Sequence, residues 1–211
     1  MVNCRMQIPT ESIKQRIGTL GDNGGIYIYM DTEGFRVVLF TSRNKDNKHL
    51  PNFKERTRTF ISDKPIEDLS GTFESFANRG VEGELSRLYI SINLRDPAKI
   101  KKALMHYLID AEDVDLCKLD TKLSSIAQRS ENALTRKWMF DYDDSEENLP
   151  EFLDDIKAMA IDNRIDIGYK TPNGHAVVVD HGFDTRELLD KWHNVELKRD
   201  ALLCYRWKLK Q

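Results

Sequence analysis

The order of elements along this chain predicts an α+β fold: a split-βαβ, ferredoxin-like C-terminal third packed with an N-terminal α/β region. Three observations predict it. From Arg136 onward the apolar pattern switches between strand and helix periods in the order β-α-β-β-α-β. Upstream, Arg87-Leu-Tyr-Ile-Ser-Ile-Asn-Leu-Arg95 alternates strictly, as a half-buried strand does. Asp96-Pro97 then supplies an N-cap followed by proline at the first helical position. Two regions are expected, 1–130 and 136–211, meeting near the polar Gln128-Arg-Ser-Glu-Asn132. One continuous domain is the alternative.

In the N-terminal region, Thr10 caps a short helix to Leu20, with Ile13 and Ile17 on one face, and Gly21-Asp-Asn-Gly-Gly25 breaks it. Ile26–Met30 and Phe35–Thr41 read as strands joined through Asp31-Thr-Glu-Gly34. Ser42–His49 is polar and reads as a solvated, mobile loop. Arg56–Ser62 suits an edge strand, and Ile66–Ala77 has apolar residues at helical spacing. The Arg87–Arg95 strand points Leu88, Ile90, Ile92 and Leu94 one way and Arg87, Tyr89, Ser91, Asn93 and Arg95 the other. Helices are expected from Asp96 to about Ile109 and from Asp115 to about Ser130.

The last third reads more plainly. Arg136–Asp143 is a strand, and Glu146–Asn163 is a helix burying Leu149, Phe152, Leu153, Ile156, Met159 and Ala160. Ile165–Lys170 and His175–Asp180 are strands joined by Thr171-Pro-Asn-Gly174. Asp184 caps a helix over Thr185–Trp192. Val195–Leu197 and Ala201–Leu209 are strands that could form a hairpin through Lys198-Arg-Asp200.

Composition narrows the function classes. The net charge is −3, from 32 basic and 35 acidic residues, so a DNA-coating protein acting by charge alone is disfavoured. A local basic patch or a metal could still bring it to nucleic acid. Cys4, Cys117 and Cys204 are widely separated with no CxxC pair, which disfavours a thiolate zinc site and a disulfide framework. No apolar run approaches the ~18 residues of a membrane span. A cytoplasmic, membrane-free setting is the expectation. Gly21–Gly25 precedes a strand rather than a helix, so it is not a P-loop or a dinucleotide fingerprint, and no G-x-S-x-G occurs.

The chemistry-bearing segment is Trp138-Met-Phe-Asp-Tyr-Asp143. On a strand, Asp141 and Asp143 project side by side. The Pro-Asn-Gly turn delivers His175 to the start of a strand expected to lie beside theirs, so all three side chains are expected to converge. Hard carboxylate oxygens suit Mg²⁺ or Mn²⁺, which neutralises charge on a transferring phosphoryl group. A second cluster is the polar face of the Arg87–Arg95 strand. There Arg87, Ser91, Asn93 and Arg95 could hold phosphates, with Lys170 as a weaker candidate.

Phe140-Asp141-Tyr142-Asp143 and Thr171-Pro-Asn-Gly-His175 together resemble the first two motifs of the archaeo-eukaryotic primase superfamily. The resemblance covers about residues 136–211. It implies an RRM-like palm, carboxylates holding a divalent metal, and a histidine on nucleotide phosphate in primer synthesis or related nucleotidyl transfer. Nucleotides or single-stranded nucleic acid are the implied partners. For the family's third acidic motif both Glu196 and Asp200 are candidates, and Asp200 joins Asp141 and Asp143 in the expected metal set. Competing readings are a nuclease using the same aspartates and a catalytically silent RRM-like binding or adaptor protein. The last would need aromatics on its central strands, where Tyr142 and Tyr169 are the candidates.

Overall fold

The computed structural model describes residues 34–160, 165–180 and 182–211. The expected Thr10–Leu20 helix, the Gly21–Gly25 break, the Ile26–Met30 strand and residues 31–33 of the turn after it lie outside these. The chain runs through strands β1 (Arg36–Ser42) and β2 (Arg56–Ser62), helix α1 (Ser70–Asn78) and strand β3 (Leu85–Ser91). Helices α2 (Pro97–Asp110) and α3 (Leu119–Ala127) follow. The C-terminal third holds β4 (Trp138–Tyr142), α4 (Leu149–Met159), β5 (Ile165–Lys170) and β6 (His175–Val179). It ends with α5 (Arg186–Lys191), β7 (Val195–Lys198) and β8 (Leu202–Leu209). The result is an α+β architecture with two antiparallel four-stranded sheets, ordered β2-β1-β3-β8 and β5-β6-β4-β7.

Strand alternation decides what each sheet buries on each side. Val38 and Phe40 of β1, Leu88 and Ile90 of β3 and Leu203 of β8 form one cluster with Met139 of β4 and Ala176 and Val178 of β6. The two sheets therefore share a core, which Phe73 of α1 also enters. On the other side of the first sheet, Val37 packs with Ile100 of α2 and Ile126 of α3. On the other side of the second, Phe140, Tyr142, Val177 and Val179 pack with Phe152 and Ile156 of α4 and Leu188 of α5. The Trp192 indole donates to Asp155 at 2.8 Å, tying the end of α5 to α4.

Local signals explain most boundaries. Asp96 accepts from the amides of Ala98 and Lys99, and Pro97 opens α2 as expected. Edge strand β2 matches its predicted range. The helix expected from Ile66 begins as a 3-10 turn over Ile66–Leu69 before α1. The helix expected from Asp115 likewise opens as a 3-10 turn over Leu116–Lys118, leaving Leu116 70 % exposed, and α3 proper starts at Leu119.

Two expectations are corrected. The Ser42–His49 loop is anchored rather than loosely solvated: the buried Asn47 donates to Ser42 Oγ and to the carbonyls of Arg43 and Leu85, and accepts from the Leu85 amide. The last two strands do not form a hairpin. β7 lies beside β4 in the second sheet, whereas β8 crosses to pair with β3 in the first. Leu203 belongs to the core between the sheets, while Val195 belongs to the helix-side core of the second. The region 136–211 thus gives its last strand to the other sheet.

Glu84, almost fully buried just before β3, accepts from Arg56 Nε at 3.0 Å and the Val81 amide at 2.9 Å. Burial by itself would raise its pKa, but hydrogen bonds from Arg56, Ser42 and Val81 outweigh it, and the net direction is downward. The sign follows from linkage: a depressed carboxylate contributes stability above its unfolded value, about 4.3, and loses it as pH falls through the native one. Melting curves between neutral and acidic pH should therefore fall more steeply for wild type than for Glu84→Gln below about pH 4.3. Parallel acid limbs in the two proteins would refute this role.

Candidate functional site

The carboxylates of interest sit where β4 leaves the shared core. Phe140 and Tyr142 pack toward α4 and α5, so Met139 and Asp141 occupy the other face of β4, the side toward the first sheet. Register with β7 sets Glu196 directly opposite Asp141 and Lys198 opposite Met139. Cross-strand partners share a face, so Asp141, Glu196 and Lys198 lie on the same side. Asp143 follows the strand, its amide bonded to the Asn194 carbonyl at 3.1 Å. A Cβ at Gly174 would run into the Tyr142 carbonyl and crowd Asp143 Oδ1, so the turn before β6 brings bare backbone against this carboxylate.

The electrostatics are those of a crowded acidic group with one cation inside it. Burial first, then the Asp141 and Glu196 charges, push the Asp143 pKa up, while Lys198 and Lys45 of the β1–β2 loop pull it back. Lys198 Nζ lies 2.5 Å from Asp141 Oδ2 and 3.1 Å from Glu196 Oε2. Burial alone would lower the lysine pKa, but these bonds outweigh it and keep the ammonium charged. Neither Lys198 nor Lys45 was anticipated from the sequence. The Val195-Glu-Leu-Lys198 alternation carries the signal for Lys198, since it places Glu196 and Lys198 on one strand face.

The expected convergence of His175 with the aspartates is corrected by the register. His175 pairs with Tyr142, so it lies on the helix side of the second sheet. Its Nε2 is 3.7 Å from Glu146 Oε1, which also accepts from Lys170 Nζ at 2.9 Å. The Lys170 ammonium holds the Glu146 pKa below the usual range. His175 and Lys170 thus meet at Glu146, across the sheet from Asp141.

Asp200 is likewise elsewhere. It accepts from Arg95 at 2.9 and 2.8 Å and from Asn93 Nδ2 at 3.1 Å, and the same Asn93 amide donates to the Lys137 carbonyl. Lys137 and Asp143 bracket β4, roughly 20 Å apart at strand rise. Of the two candidates for a third carboxylate, Glu196 stands beside Asp141.

The polar face of β3 is internal. Arg87 is paired to Asp46 at 2.6 Å and Arg95 to Asp200, and both are buried. Ser91 Oγ accepts from the Val37 amide and donates to the Asn93 carbonyl. Asn93 Oδ1 accepts from Thr135 and from the Lys137 amide. These four side chains are engaged internally instead of facing a phosphate: Arg87 with the β1–β2 loop, Ser91 with β1 and the Asn93 carbonyl, and Asn93 and Arg95 at the junction leading to β4. The sheet surface on which bases could stack is also covered: Met139, Ala176 and Val178 lie under the first sheet, and Tyr142 is buried on the helix side. Tyr169 packs toward Tyr205, ring centres 6.2 Å apart.

By donor chemistry Asp141, Asp143 and Glu196 suit a hard dication. As arranged, Lys198 holds two of them, and among the described residues no three acidic, histidine or cysteine groups stand close enough to grip one ion. Metal binding would require the flexible Lys198 side chain to swing out. No family model, curated protein or solved structure matches this chain.

Proposed function

We propose that this chain carries out metal-dependent phosphoryl chemistry, nucleotidyl transfer above all, on nucleotides or nucleic acid. The observation that carries the reading is the cross-strand pairing of Glu196 with Asp141, which adds a third carboxylate to the Asp141/Asp143 pair on one sheet face. The strand order β5-β6-β4-β7 supports an RRM-like, primase-like palm for the second sheet, its first and third strands central and adjacent. A divalent ion held by Asp141 and Asp143 would neutralise charge on the phosphoryl group undergoing attack. Lys198, which pairs with both Asp141 and Glu196, would keep its contact with Glu196 when the metal takes Asp141, and its ammonium would be available to phosphate oxygens. His175 has no part in this arrangement.

A second reading, a catalytically silent adaptor, is favoured by one observation: Lys198 already neutralises Asp141 and Glu196, as a cation would. One series separates the two. Calorimetry with Mn²⁺ and turnover assays on nucleotides, primer–template and single strands should show metal binding and metal-dependent turnover in wild type. Asp143→Ala should abolish turnover with its melting temperature retained, and His175→Ala should leave it near wild type. Metal-independent behaviour and no turnover in a folded wild-type sample would establish the adaptor reading instead.

A further inference from the structure

The side of α1 nearest the edge strand carries Gly71, Thr72, Ser75, Phe76 and Arg79 at helical spacing, and with Arg58 of β2 they line a cleft of about 240 Å³. Both charges in the lining are positive. Among the described residues neither Arg58 nor Arg79 has a side-chain hydrogen bond or ion pair, and Arg58 merely lies over the Phe60 ring, 5.2 Å from its centre. Arg56, one alternation away on β2, differs: it is bound to Glu84 and to the Phe76 carbonyl. Charge on an edge strand deters edge-to-edge pairing, which accounts for arginine on β2. It does not account for Arg79 on the opposite wall.

We propose that this cleft binds a phosphoryl group, supplied by a nucleotide or nucleic-acid backbone or by free phosphate, with Arg58 and Arg79 gripping it from opposite walls. Guanidinium forks match phosphate oxygens in charge and geometry. The Thr72 hydroxyl adds a donor from the helix, and Phe76 forms an apolar floor. Gly71 faces open space, since a Cβ there would meet nothing within 4 Å.

The same position supplies a test that does not depend on removing arginines. A Cβ at Gly71 meets nothing within 4 Å, and an acid in the first turn favours the helix, so Gly71→Asp is expected to fold, as its melting curve checks, while adding a negative charge to the cleft lining. Binding of a labelled single-stranded oligodeoxythymidine is followed by anisotropy in EDTA with the full chain, with inorganic phosphate titrated by calorimetry in parallel. Arg58→Gln/Arg79→Gln and Gly71→Asp should each weaken phosphate-ligand binding at least about tenfold. If the oligonucleotide is the source, the slope of log affinity against log salt falls by about 0.7 in the double variant, the loss of one phosphate contact. Loss for inorganic phosphate, with no oligonucleotide binding by wild type, identifies the source as a small phosphate. Wild-type binding of neither probe, or binding by both variants within about twofold of wild type, overturns the proposal. These titrations are made without metal and read the cleft, whereas Mn²⁺ calorimetry and turnover read the carboxylates, so failure here is separable from failure of the carboxylate site.

Discussion

Asp200→Ala should destabilise the protein by about 3–5 kcal/mol, the cost of removing one partner from a buried ion pair. Arg95 is only 2 % exposed and meets Asp200 through two parallel hydrogen bonds. Its backbone is equally committed, exchanging hydrogen bonds with Phe35, so the residue cannot readily move its charge to water. Asp200 also accepts from Asn93, which in turn binds the Lys137 amide and carbonyl at the entrance to β4. The aspartate therefore ties the crossing from β7 to β8 to the junction between β3 and β4. At about 2–4 °C per kcal/mol for a chain of this size, the melting temperature should fall on the order of 10 °C. Asp200→Asn, which keeps an acceptor, should recover part of the loss. A fall of less than about 1 kcal/mol in urea titrations would mean that the guanidinium finds other partners or solvent.

Phe40→Ala should cost a similar amount, about 3–5 kcal/mol. The ring is fully buried in the core common to both sheets, with centroids 5.2 Å from Phe60, 5.5 Å from Phe73 and 5.7 Å from Phe76. Alanine there leaves a cavity among side chains fixed by two sheets and a helix, so little collapse can fill it. The more telling readout is cooperativity. Trp138 and Trp192 sit with the helix-side core of the second sheet, whereas Phe40 belongs to the first. With Trp207 of β8 in the first sheet replaced by phenylalanine, so that only second-sheet tryptophans report, fluorescence and far-UV circular dichroism should shift together if the shared core makes the sheets one folding unit. Separate midpoints would show that the sheets unfold independently.

Periodicity and punctuation were enough to locate most described elements. The 3.6-residue spacing of Phe152 and Ile156 marks α4, Asp96-Pro97 marks the start of α2, and Thr171-Pro-Asn-Gly174 marks the turn between β5 and β6. These features depend on neighbours within a few residues. The pairing of Asp141 and Asp143 on one face was legible for the same reason. Lys198 was readable in principle from its alternation with Glu196, but its meeting with Asp141 depends on a cross-strand register.

Residues close in the chain thus set the local grammar: which segments are helix or strand, and which residues within one strand share a face. Tertiary structure alone decided what covers each face and which strands become neighbours. His175-Ala-Val-Val-Val179 is apolar on both sides, so nothing local says which side meets the helices, and pairing with Tyr142 carried His175 away from the aspartates. Arg87, Ser91, Asn93 and Arg95 alternate like a solvent face, yet the loop bearing Asp46 and the junction bearing Asp200 close over them. β8 pairs with β3 in the first sheet, a partner more than a hundred residues earlier in the chain that its own alternation does not name. Alternation defines a face only relative to its own strand; burial of that face is a long-range event, set by chain segments a hundred residues away.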